Sequence, residues 1–94
     1  MMRRIGLIGL CTAMLAGPAL ADLREDGRVC VNPQDRQAQI AACTRLIGAP
    51  EIGPRNQAIA HNNRGNAYIR LGQRGKAIAD YGAAIRLDPT LYQS

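Results

Sequence analysis

Residues 58–91 read AIAHNNRGNAYIRLGQRGKAIADYGAAIRLDPTL, two helix-forming segments hinged at Gly72 and closed by Asp88-Pro89. In the second segment Ala77, Ile78, Tyr81, Ala84 and Ile85 recur at i, i+1, i+4, i+7 and i+8, a clean amphipathic stripe. In the first, Ala58, Ala60, Ala67, Tyr68 and Leu71 supply the apolar side, and Gly65 stands among them. Glycine inside a helix costs about 1 kcal/mol against alanine, which makes sense where another helix backbone approaches closely. Pro54 suits the first helical position, so the first helix is predicted over 54–71. Arg74 or Gly75 opens the second, which Asp88-Pro89 stops. One such pair cannot bury its own apolar face, so it implies neighbours.

Upstream, Asn32-Pro33 has the form of a helix start, with Asp35 in the first turn. Ile40, Cys43 and Ile47 then recur at i, i+3 and i+7, flanked by Ala42 and Leu46. Gly48 is the expected stop and Pro50 bars continuation. This predicts a helix over 33–47 and a turn-rich connector to 53. Residues 22–32 are polar, contain Gly27 and show no periodicity, so they are read as an extended leader. The fold expected is all-α with three helices. The chain has no Phe or Trp and alanine dominates the apolar positions, so helices can sit close while each contact buries little area.

At 94 residues there is room for one small domain. The start is not read as part of it. Met1-Met2-Arg3-Arg4 is basic, Ile5 to Ala16 is apolar, and Ala19-Leu20-Ala21 offers small residues where a signal peptidase reads. A signal peptide over 1–21 is expected, with the mature chain beginning at Asp22 in a periplasmic or secreted setting. A membrane span fits poorly, because the apolar run is short and broken by Gly17-Pro18. Arg3 and Arg4 leave with the signal, so the net charge of +5 falls to +3. The arginines are interspersed and read as solvated helix faces, without the clustering that nucleic acid demands.

Cys30 and Cys43 then remain, an even pair in an oxidising compartment. A disulfide between them would close a loop of about 14 residues, worth about 3 kcal/mol. The alternatives are free, redox-active or metal-binding thiols. The spacing is wrong for C-x-x-C chemistry, and the single histidine is too little to complete a zinc site.

Residues 58–91 resemble the tetratricopeptide repeat family, whose repeat is about 34 residues long. Gly65, Tyr68, Ala77, Tyr81, Ala84 and Pro89 agree in type with its packing positions, Tyr81 replacing the more usual Phe. His61 and Arg64 depart, standing where Trp or Tyr and Leu are common. The phrase QIAACTRLI resembles AIADYGAAI, with Cys43 falling 38 residues before Tyr81. Residues 33–47 are thus expected to be the second helix of a degenerate preceding repeat, giving about one and a half repeats. The cysteine-containing opening followed by such a repeat resembles exported bacterial members of the family.

The resemblance implies a concave groove lined by the first helix of each repeat. Carried over by position, its residues here are Ile59, Asn62, Asn63, Asn66, Ile69 and Arg70. Asparagines at such places hydrogen-bond a peptide backbone or terminal carboxylate in family members that hold extended peptides. A side-chain amide offers donor and acceptor without burying a charge. The bland alternative is a solvated polar face.

His61 is read as a packing residue without a carboxylate partner on its face, and Asp80 as solvated. No paired carboxylates, serine nucleophile or phosphate loop is present, so neither an enzyme nor a cofactor is expected. The function expected is a protein–protein interaction module binding a peptide or helix of a partner. The alternative is a structural part of a homo-oligomer or truncated repeat array.

Overall fold

The computed structural model describes residues 20–93. The expected signal peptide lies outside the described residues, apart from Leu20 and Ala21. Four α-helices follow one another: α1 (Leu20–Val31), α2 (Arg36–Ile47), α3 (Pro54–Arg70) and α4 (Arg74–Leu87). A 3-10 turn over Pro50–Ile52 joins α2 to α3, and a second over Pro89–Tyr92 follows α4. Among the described residues there is no strand. Each helix packs on the next, and α1 also touches α3. The all-α class is as expected, but the number of helices is not three.

The correction is α1. The stretch read as an extended leader is helical and folds against α2. Its inward positions are Leu23, Asp26 and Cys30 at i, i+3 and i+7. The middle one is an aspartate, which hides the periodicity from a count of apolar residues. Asp26 is 6% exposed and Arg45 of α2 answers it, Nε donating at 3.0 and 3.1 Å and Nη2 at 2.8 Å. The aspartate holds the Arg45 guanidinium pKa above its ordinary value, first through the hydrogen bond and then through its charge. The chain thus makes two helix pairs. α1 begins at Leu20 and α3 at Pro54, 34 residues later.

The start of α2 also moves. Asn32-Pro33 lies in the turn leaving α1, where proline stops continuation. Asp35 is the N-cap, accepting from the Gln37 N–H at 2.8 Å and the Ala38 N–H at 3.4 Å. α3 and α4 keep their predicted bounds to within a residue. Between them Gly72 takes φ 76°, which a side chain would resist. Gln73 N–H then donates back to the Tyr68 carbonyl at 2.8 Å, closing the end of α3.

The interior is mainly alanine and cystine. Ala42, Ala58, Ala67, Ala77 and Ala84 are fully buried, with Cys30, Cys43 and Ala60 at 1% or less. The Cys30 and Cys43 sulfurs are bonded across α1 and α2, with Cα atoms 4.9 Å apart. Gln39, 4% exposed, joins three helices. Its Nε2 donates to the Cys30 carbonyl at 3.0 Å and the Asn63 carbonyl at 3.5 Å. The first of these carbonyls lies in the last turn of α1, where no backbone N–H reaches it. Gln57 Nε2 serves the Ile47 carbonyl at the end of α2 in the same way, at 2.8 Å. Among the described residues no buried side-chain polar atom lacks a partner.

Candidate functional site

The strongest polar feature lies between α3 and α4. Asp80, read from sequence as solvated, is 3% exposed on the inner face of α4. His61 Nδ1 is 2.8 Å from its Oδ1. Arg64 Nε and Nη2 donate to its two oxygens at 2.9 and 2.8 Å. Arg64 Nη1 also donates to Thr44 Oγ1 of α2 at 2.9 Å, and that hydroxyl donates to the Ile40 carbonyl at 2.6 Å. One carboxylate thus ties α4 to α3, and through Arg64 to α2.

His61 is therefore not partnerless, nor Arg64 solvated. Its carboxylate partner stands on the facing helix, 19 residues along the chain. Burial pushes the Asp80 carboxyl up, but the hydrogen bonds from Arg64 and His61 outweigh it, so its pKa lies below the ordinary carboxylate value. The same bond raises that of Arg64 against the cost of burial. Among the described residues no group of three His, Cys, Asp or Glu is arranged to hold a metal. The cluster fastens helices.

Gly65 packs as the sequence suggests, with a different neighbour. A Cβ there would stand 2.8 Å from Tyr81 Cε1, so a ring rather than a helix backbone requires the glycine. Tyr68 receives two cations, with Arg64 Cζ 5.8 Å and Lys76 Nζ 5.4 Å from its ring centre. Ala77 and Ala84 are fully buried. Pro89 opens the second 3-10 turn behind Asp88, which caps it through the Thr90 N–H at 3.1 Å and binds Arg55 of α3 at 2.6 Å.

Ile59, Asn62, Asn63, Asn66, Ile69 and Arg70 fall within one sector of about 120° on α3, counted at 3.6 residues per turn. Asn66, Ile69 and Arg70 are exposed, while Ile59, Asn62 and Asn63 are half-buried. Their surroundings differ along the helix. Ile59 borders α1, and the Asn63 carbonyl meets Gln39. Asn62 and Asn66 turn their Oδ1 atoms toward tyrosines. Tyr81 O–H donates to Asn66 at 2.5 Å, and Tyr92 O–H to Asn62. Burial raises the Tyr92 pKa, which keeps that hydroxyl a donor. No sequence signal placed Tyr92 beside Asn62.

Residues 58–91, spanning most of α3 and all of α4, match the tetratricopeptide repeat family. This segment is a tetratricopeptide repeat. No curated protein and no solved structure matches the chain. Repeats of this family are protein–protein interaction elements. The two residues that depart from the family's usual choices, His61 and Arg64, are the two that meet Asp80.

Proposed function

We propose that this chain is an exported bacterial protein-binding module, periplasmic or secreted, that lays an extended peptide or helix of a partner along the α3 face. The observation that carries this reading is the sector of α3 in which Asn66 and Arg70 stand exposed beside Ile69, itself 46% exposed. Tyrosine hydroxyls engage the acceptor ends of Asn62 and Asn66, so their free ends are Nδ2 donors. Those donors, with Arg70, favour acceptors on the partner: peptide carbonyls or a carboxylate. Export is supported by the basic start, the apolar run and the Ala19-Leu20-Ala21 site. The bonded sulfurs agree with an oxidising compartment.

The test is the double variant Asn62→Ala/Asn66→Ala. A partner recovered with the wild-type chain, then purified, is titrated against both. Loss of binding with an unchanged helical circular dichroism signal supports the face; equal affinity removes it. A second reading rests on α4, whose Ile78 is 63% and Ile85 50% exposed. On that reading the chain is a structural part of a homo-oligomer or a longer array. Sedimentation as a stable monomer counts against it.

A further inference from the structure

The chain from Asp22, without Arg3 and Arg4, carries ten cations and seven anions. Without Arg70, Arg74 and Lys76, seven of each remain. These three stand around the α3–α4 turn, and no acidic residue occurs from 52 to 79. All three are exposed. Among the described residues none of them joins an ion pair, whereas Arg28, Arg45, Arg55 and Arg64 each face a carboxylate. The Lys76 ammonium stands over the Tyr68 ring instead. Positive charge that is interspersed along the sequence is thus gathered in one place by the fold.

The same end of the bundle also presents aliphatic side chains. Asp26 meets Arg45 and Cys30 meets Cys43, Gln39 meets Asn63 and Gln57 meets Ile47, and His61 meets Asp80 and Arg55 meets Asp88. Consecutive helices therefore run antiparallel, and the α1–α2 and α3–α4 turns share one end. Val31, which closes α1 there, is 62% exposed, and Leu71 at the other turn is 37% exposed beside Ile69. The acidic residue at this end, Asp35, is spent as the α2 N-cap and is followed at once by Arg36.

We infer that this end rests on an anionic bilayer surface, with Arg70, Arg74 and Lys76 at the lipid phosphates and Val31, Ile69 and Leu71 entering the headgroup layer. A bilayer rewards both features at once, cations through attraction to anionic lipid and aliphatics through burial at the interface. An acidic peptide matches the cations but is too narrow to cover aliphatics on two separate turns. No helix among the described residues is long and apolar enough to cross a membrane, so the contact is at the surface. It goes beyond peptide binding on the α3 face and shares only Ile69 and Arg70 with that face.

The test is sedimentation of the disulfide-intact chain beginning at Asp22 with sucrose-loaded vesicles, one set of phosphatidylcholine alone and one carrying about 30% phosphatidylglycerol. The wild type should bind the anionic set, and about 0.5 M salt should release most of it. Each cation near such a surface is worth about fivefold, so Arg74→Gln/Lys76→Gln should bind about 25-fold more weakly. Arg24→Gln/Arg86→Gln removes the same charge away from this end and should change binding by less than about twofold. Leu71→Ser should weaken binding and keep its salt dependence. Each variant is read beside its far-UV circular dichroism, and Arg74→Gln alone, expected to lose about fivefold, serves if the Lys76 change disturbs Tyr68. No preference of the wild type for anionic vesicles, or equal loss in both charge variants, overturns the inference. Binding of N-acetyl-hexaglutamate that Arg74→Gln/Lys76→Gln abolishes, without vesicle binding, also overturns it and assigns this end to an acidic polypeptide. Asn62→Ala/Asn66→Ala should bind vesicles as the wild type does, so failure of the α3 face and failure of this surface are read separately.

Discussion

Replacing Asp80 with alanine removes the anion on which two helices converge. The carboxylate is 4% exposed and accepts three contacts of 2.8 to 2.9 Å from His61 and Arg64. Breaking a buried pair by deleting one partner costs about 3–5 kcal/mol, chiefly because the other charge is left uncompensated. Arg64 keeps 20% of its side-chain surface and its bond to Thr44, which softens the loss. The expected cost is therefore about 2–4 kcal/mol. In a domain of this size that lowers Tm by roughly 10–25 °C.

Removing both signs of charge should behave differently. His61→Tyr/Arg64→Leu/Asp80→Ala leaves no buried ion and should lie within about 1 kcal/mol of the wild type. Urea unfolding followed by far-UV circular dichroism, on Asp80→Ala, Arg64→Leu and the double variant, gives the coupling directly. A coupling above about 1 kcal/mol is expected. If Asp80→Ala costs less than about 0.5 kcal/mol and the changes add, the cluster is an ordinary surface pair and the reasoning fails.

Acid should act on the same contacts. The Asp80 and Asp88 pKa values are lowered on folding, Asp88 first through the Thr90 hydroxyl. Their contribution is fully present above the unfolded aspartate value of about 3.9 and disappears as pH falls through the folded values. The urea midpoint should thus stay flat from neutrality to about pH 5 and fall below about pH 4, less steeply in Asp80→Asn. Reducing the Cys30–Cys43 bond, which spans 13 positions, should cost about 3 kcal/mol and be read first as lost amide protection in α1. Equal protection of α1 and α4 after reduction would contradict that order. Gly65→Ala should destabilise by about 1–2 kcal/mol through the Tyr81 ring despite the gain in helix propensity. In a Tyr81→Ala background the same change should stabilise by about 0.5–1 kcal/mol, and a cost in both backgrounds would exclude the ring as the cause.

The helices that were legible in the sequence are those whose inner positions are apolar. α3 and α4 announce themselves through Ala58, Ala67, Ala77 and Ala84, and their ends through Pro54, Gly72 and Asp88-Pro89. The Cys30–Cys43 pairing followed from number and compartment. What stayed hidden shares one physical cause. Asp26, Gln39 and Asp80 point inward, and a polar residue reads as solvated until its partner is known. Those partners lie far along the chain: Arg45 is 19 residues from Asp26, and Arg64 is 16 from Asp80. Hence residues 22–32 read as a leader, and His61 and Arg64 as isolated departures from the repeat. The position of Ile59 on its helix was readable, but its border with α1 was not.

Alanine interfaces explain why such polar contacts sit where they do. A methyl surface permits close approach but carries little shape, so two alanine-lined helices can slide with small loss. Asp26–Arg45, the Gln39 bonds and the Asp80 cluster each fix one register, since a shift of one residue would strand a buried charge or amide. This leads to a last prediction. The apolar triple variant at 61, 64 and 80 should keep most of its stability and lose part of its uniqueness. Its amide spectrum should broaden around α4, and near-UV circular dichroism from Tyr68 and Tyr81 should weaken, while the far-UV signal persists. A spectrum as sharp and dispersed as that of the wild type would show that alanine packing alone sets the register of α3 against α4.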